Sequence, residues 1–285
     1  MTSLKHALSL LTEGVKVNSM RREAHAGRSF WVKKRRLTAE VILRVANGFF
    51  AVAGAPLRAI LPTSAWQQWE VECFIGLHGG EGFTAHVEGA RAMSAEVLPG
   101  ISLTDYLDTG RLTPSLAAAA GRELRRAHAW HSPGLGALWS HGDAHAGNFV
   151  LEEHELRARI IDFELTHLAT LPANVRHADD VAGFLLDLVG RIAADRWLPC
   201  AIAFLEAYDR PEIVGALPGR LAWQRGGLCA LLWRRVQTGF LARCEYERRM
   251  AQLLAAEIFQ PPAAQPSELV ASTHSATGTP PSKCS

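Results

Sequence analysis

Apolar and polar positions along the chain change period several times, and each change marks an expected element. Between Gly27 and Arg35 aromatic, β-branched and basic residues alternate, which predicts a strand over 29–34, with a shorter one near 15–17. From about Thr38 the period lengthens, and Val41, Ile42, Val45, Ala46, Phe49 and Phe50 make an apolar stripe at helical spacing. A second helix is expected over 64–78, with Ser64 as its N-cap and Gly79 and Gly80 as its stop. Residues 92–98 read as a strand ended by Pro99 and Gly100, then a capped helix over 102–108. Thr113 and Pro114 open an alanine-rich helix that reaches about His128. Two short strands follow, over 149–151 and 158–161. Beyond residue 178 periodic apolar positions over 180–192, 198–208 and 221–259 predict helix almost to Gln260. A small mixed part followed by a larger helical one is an α+β organisation, without internal repeats.

Composition narrows the class only a little. With 285 residues and 48% hydrophobic content the chain can bury a substantial core. The net charge of +2 gives no reason to expect a nucleic-acid partner, although Lys33, Lys34, Arg35 and Arg36 form one basic cluster. The five cysteines have no CxxC pair among them, so reduced thiols in a cytoplasmic protein are the simplest reading. No apolar run is long enough for a signal-peptide core or a simple membrane span. From Gln260 onward Pro, Ala, Ser and Thr dominate, and disorder is expected there.

The chemistry concentrates between His141 and Glu164. His141-Gly142-Asp143-Ala144-His145-Ala146-Gly147-Asn148 sets an asparagine five positions after an aspartate, the spacing of the kinase catalytic loop. After an intervening strand, Ile160-Ile161-Asp162-Phe163-Glu164 stands where a metal-binding Asp-Phe-Gly would. Together they resemble the aminoglycoside phosphotransferase and choline kinase branch of the protein-kinase-like superfamily, whose catalytic loops read HGD. The chain also looks similar to bacterial lipopolysaccharide core sugar kinases. The resemblance covers about 28–188 and implies a two-lobed fold: an N-terminal nucleotide-binding lobe over 1–98, a helical catalytic lobe over 99–259 and a tail over 260–285.

Position by position, the resemblance implies that Asp143 is the catalytic base and that Asn148 and Asp162 hold Mg2+. The strand Phe30-Trp31-Val32-Lys33 matches the one ending in the phosphate-binding lysine; Lys34 takes that role if the register differs by one. Glu70 matches the carboxylate partner of that lysine, with Glu72 as the alternative. Ser94 to Gly100 matches the hinge, where the carbonyl of Glu96 and the amide of Leu98 would meet adenine. Asp179 or Asp180 would brace the catalytic loop. Two departures are visible: no GxGxxG precedes Lys33, and Glu164 replaces the glycine of Asp-Phe-Gly. The short gap from Asp162 to Asp179 leaves no peptide-docking segment, so the implied acceptor is a small molecule or sugar, with ATP as donor.

Other readings stay open on the sequence. A nucleotide-binding pseudokinase or partner-binding protein without turnover fits the missing glycine loop. His141, Asp143 and His145 also alternate like metallohydrolase ligands, a reading that leaves Asn148 and Asp162 unexplained. The stripe over 38–50, beside the basic cluster, suits either core packing or a peripheral membrane contact.

Overall fold

A computed structural model describes residues 17–25, 27–223 and 226–259. The small part contains strands β1 (Asn18–His25) and β2 (Arg28–Arg35), helix α1 (Ala39–Ala53), strand β3 (Leu57–Ala59), helix α2 (Thr63–His78), and strands β4 (Ala85–Glu88) and β5 (Ala92–Glu96). Four of these strands form an antiparallel sheet in the order β1-β2-β5-β4. Strand alternation puts Lys33 and Arg35 on the covered face and Lys34 in solvent. Helix α2 covers that face: the Arg35 guanidinium lies 4.4 Å from the Trp66 ring centre and donates to the Ile60 carbonyl at 2.8 Å.

The larger part begins with strand β6 (Ile101–Ser102) and helices α3 (Leu103–Asp108) and α4 (Pro114–His128). Ser102 and Thr113 cap these helices, accepting from the amides of Thr104 and Leu116. Then come the pair β7 (His131–Ser132) and β8 (Ala137–Leu138), the strands β9 (Phe149–Glu152), β10 (Arg157–Ile160) and β11 (Leu165–His167), and helices α5 (Ala173–Arg191) and α6 (Ala194–Tyr208). Short helices α7 (Pro211–Val214) and α8 (Leu217–Leu221) precede α9 (Leu228–Gln237) and α10 (Arg243–Leu254). The core sits between α4, α5 and α6, where Phe184 stacks on Phe204 with centroids 4.0 Å apart. Gly121 lets α4 and α6 touch: a Cβ there would lie 2.2 Å from the Phe204 carbonyl oxygen.

The architecture is the two-lobed α+β fold implied by the resemblance, a strand-rich part followed by a larger helical one. Several local expectations change. The first strand starts at Asn18, and residues 15–16 lie outside the described residues, as does the tail over 260–285. Helix α2 starts at Thr63 behind extended Pro62, whose carbonyl takes the Trp66 amide, so Ser64 is not its cap. Helix α5 begins at Ala173, well before Asp179, because Pro172 sets the chain for helix entry. The expected helix over 221–259 breaks after Gln237, where Gly239 and Phe240 both take left-handed φ of 55° and 61°. In α1 the stripe is rotated from expectation: Leu43 and Phe50 are buried, while Val41 and Val45 face solvent. Pairing of β3 with β11, which joins the two parts just past Glu164, had no signal in the periodicity.

Candidate active site

Three loops and two regular elements converge on the cleft between the parts. Lys33, on β2, is 7% exposed, and its Nζ lies 2.7 Å from Glu70 Oε1, 2.5 Å from Asp162 Oδ1 and 2.5 Å from Glu164 Oε1. Burial works against the Lys33 charge, but Asp162, Glu70 and Glu164 outweigh it and hold the ammonium well above the usual lysine range. Glu70, on α2, also accepts from the Trp66 indole at 3.0 Å and from the Phe163 amide, so it is pinned between the sheet and the Asp162 segment.

Asp162 adopts a left-handed φ of 67° between β10 and β11, which turns its carboxylate back toward Lys33. Burial would raise its pKa, yet Lys33 prevails and keeps it below the usual carboxylate range. Burial and the neighbouring carboxylates push Glu164 the other way, upward, in spite of Lys33. Asn18 of β1 donates to Glu164, closing the set.

The segment from His141 to Asn148 is held from below. Asp180, 1% exposed on α5, accepts the amides of His141 at 2.7 Å and Gly142 at 2.8 Å, and His128 Nε2 lies 3.0 Å from the same carboxylate. Gly142 is required: its φ is 86° and an added Cβ would sit 3.2 Å from the Thr166 backbone. His141 accepts the Asp143 amide at Nδ1, which leaves Nε2 to donate to the Ile161 carbonyl at 2.9 Å. That one ring therefore ties the loop bearing Asp143 to the strand end bearing Asp162. Asn148 donates to the Asp143 carbonyl at 2.8 Å, and Asp187 accepts the Ala146 amide at 2.9 Å. Asp143 itself is 40% open to the cleft, with His145 Nε2 3.6 Å away. Its recessed position raises its pKa, against the pull of the two histidines.

The cleft divides into two cavities. One, of about 450 Å3, runs from Trp31, Met93 and Leu98 to Lys33, Asn148 and Asp162. The Glu96 side chain is held by Arg28, and the Leu98 amide has no protein acceptor among the described residues. The other, of about 290 Å3, lies beyond Asp143 and is lined by His145, Asp179, Asp187, Arg191 and Trp233. Lys33, Glu70, Glu96, Leu98, Asn148 and Asp162 border the first cavity and Asp143 the second, whereas Lys34 lies in solvent. Glu72 instead faces away, accepting from Ser132 and the Gly134 amide. Of the two bracing candidates, Asp180 holds the loop, while Asp179 pairs with Arg220 at 2.5 Å.

Asp187 and Arg191 were not foreseen. Their signal was present: 180, 183, 187 and 191 follow one another at helical spacing on α5 and share a face toward the loop. The His128–Tyr208 contact, 2.8 Å, had none, because its partners come from two helices far apart in sequence.

Comparison with known proteins adds distant likenesses only. No protein-family model matches the chain, and no curated protein matches it. Among solved structures it is similar to Rv3197 of Mycobacterium tuberculosis in complex with erythromycin. That likeness has 13% identity, 86% of this chain and 76% of the other covered, and a TM-score of 0.39. It is similar to an aminoglycoside-3'-phosphotransferase of type VIII at 15% identity, with 83% and 98% covered and a TM-score of 0.36. A third likeness is to the ternary complex of streptomycin, ATP and APH(2")-IIa, at 13% identity, 89% and 97% covered and a TM-score of 0.38. Likenesses this remote carry no weight for the chemistry, which rests on the residues above.

Proposed function

We propose that the chain is an ATP-dependent phosphotransferase that moves the γ-phosphate to a hydroxyl of a small molecule or sugar. The observation that carries this reading is the juxtaposition in one cleft of a buried, carboxylate-bound Lys33 with Asp162 and, linked to it through His141, Asp143. Phosphoryl transfer needs little covalent help from a protein and depends on positioned charge, which this set supplies. In this reading adenine occupies the apolar end of the larger cavity, against the Glu96 carbonyl and the free Leu98 amide. Lys33, with Glu70 keeping it aligned, binds the phosphates. Asp143 orients the acceptor hydroxyl and takes its proton, a step in which position matters more than basicity because the transition state is loose.

Asp162 and Asn148 would hold Mg2+, with Glu164 close by. The Asp162 carboxylate and the Asn148 carboxamide carry the oxygen donors this cation takes, and both line the same cavity. The bound ion would offset the negative charge of the phosphates. The smaller cavity, beyond Asp143, receives the acceptor.

A second reading, nucleotide binding without turnover, is favoured by the β1–β2 connection. β1 ends at His25 and β2 begins at Arg28, paired directly with it, so no glycine-rich loop covers the phosphates from there. A thermal-shift titration with ATP and Mg2+, followed by γ-phosphate transfer to a broad panel of hydroxyl acceptors, separates the two. Transfer by the wild type that disappears in Asp143→Asn supports catalysis; ATP binding with no transfer to any acceptor supports the second reading. Transfer that survives Asp143→Asn refutes the assigned base.

A further inference from the structure

Exposed large apolar side chains gather on two adjoining helices at the rim of the acceptor-side cavity. On α1, Val41, Val45 and Val52 are 68%, 70% and 74% exposed and follow one another down a single stripe. On α9 and just beyond it, Leu228, Leu232 and Phe240 are 71%, 42% and 57% exposed. The helices adhere through their inner sides: the Trp233 ring meets Phe49 and Phe50 edge-on, with centroids 6.4 and 5.3 Å away. Among the described residues their outer sides carry these six large apolar side chains in the open, on two helices that touch.

On the two segments themselves the exposed charges are cationic apart from Glu40, while Asp143, Asp179 and Asp187 line the neighbouring cavity. No Asp or Glu occurs over 41–69 or over 213–244. Glu40 is neutralised by Arg44 one turn on. Lys34, Arg36 and Arg58 are exposed on the segments that enter and leave α1. We propose that the α1–α9 face docks on an anionic lipid surface, the valines and leucines entering the headgroup boundary and the cations meeting lipid phosphates. A second copy of the chain is a poor occupant, because an isologous contact would bring the same cations together with only Glu40, already paired with Arg44, to offset them. Trp233 and Val236 of α9 line the cavity that holds Asp143, so docking brings that cavity beside the headgroups.

The docking does not depend on catalysis, and its test is binding alone. Full-length protein is floated with vesicles of phosphatidylcholine and phosphatidylglycerol, and with vesicles of phosphatidylcholine only. The expected result is partitioning onto the mixed vesicles that weakens with added salt and on the neutral ones. Combining Val45→Asp with Leu232→Asp lowers it by about tenfold or more, and Val52→Asp alone by about fivefold. Both changes sit on exposed positions, so melting temperatures stay near wild type. Val87→Asp, an exposed valine on β4 outside the face, binds as wild type does. Failure to float with the mixed vesicles overturns the proposal, as does undiminished floating of the double variant or equal binding to neutral vesicles. It is overturned equally by a wild-type dimer, seen in sedimentation velocity, that the double variant dissolves.

Discussion

Replacing Asp180 with asparagine tests the support of the His141–Asn148 segment without changing shape. The carboxylate takes three donors, the amides of His141 and Gly142 and the His128 ring, at 2.7, 2.8 and 3.0 Å. An asparagine has one acceptor oxygen. Placed where Oδ2 was, that oxygen keeps His141 and His128 but turns its NH2 against the Gly142 amide; the other orientation loses two donors. Each buried donor left unsatisfied costs about 1–3 kcal/mol, so one or two of them predict a loss of about 2–5 kcal/mol. For a chain of this size that lowers Tm by about 5–15 °C, read by calorimetry or circular dichroism. The pH dependence sharpens the test. Burial would raise the Asp180 pKa, but His167 and His128 outweigh it and depress it in the folded state. A depressed carboxylate contributes stability that is present above its unfolded pKa, about 3.9, and is lost as pH falls through the folded value. The gap between wild type and Asp180→Asn in urea midpoint is therefore full at neutral pH and narrows below about pH 4. An Asp180→Asn protein that melts within about 1 °C of wild type at neutral pH would refute the idea that this carboxylate holds the loop.

Other expectations follow from single contacts. Lys33→Met removes the cation shared by three carboxylates and lowers phosphate transfer by about a hundredfold or more, while Lys34→Met, on the solvent face, leaves steady-state rates unchanged. Asp143→Asn reduces kcat by about 10²–10⁴ with ATP binding intact, as a thermal shift with nucleotide would show. His177 is buried and neutral, burial driving its pKa from 6.5 to about 3. The folded state thus loses stability as pH falls from about 6.5 toward 3, and urea midpoints of His177→Gln show a shallower decline than wild type over that window. Gly121→Ala forces α4 from α6 and destabilises by about 1–3 kcal/mol in chemical denaturation.

Much of the site was legible because its residues are local in sequence. Asp143, Asn148 and Asp162 sit on one stretch whose spacing carries the motif, and Lys33 stands in a strand whose alternation can be read directly. What could not be read was anything whose meaning depends on a partner far along the chain. Lys33 against Lys34, Glu70 against Glu72 and Asp180 against Asp179 were each open choices between near neighbours. Which of each pair enters the cleft depends on which face α2 covers and which turn of α5 lies under the loop. Helix periodicity likewise announced α1 but mistook its inner side: valine and phenylalanine score alike as apolar, and only the packing of β3 and α9 decides which of them is covered.

Local chemistry, then, was enough for the element types of the two lobes and for the carboxylate-rich stretch from His141 to Glu164, since hydrogen-bond spacing, capping and turn preferences act over a few residues. The tertiary structure alone brought three carboxylates to one buried ammonium, tied Asp143 to the Asp162 strand through His141, and left an apolar, cationic face outside the cleft. Those outcomes depend on contacts between segments distant in the sequence, as in the pairing of Lys33 with Asp162, 129 residues on, where burial and charge act through space and no pattern along the chain encodes them.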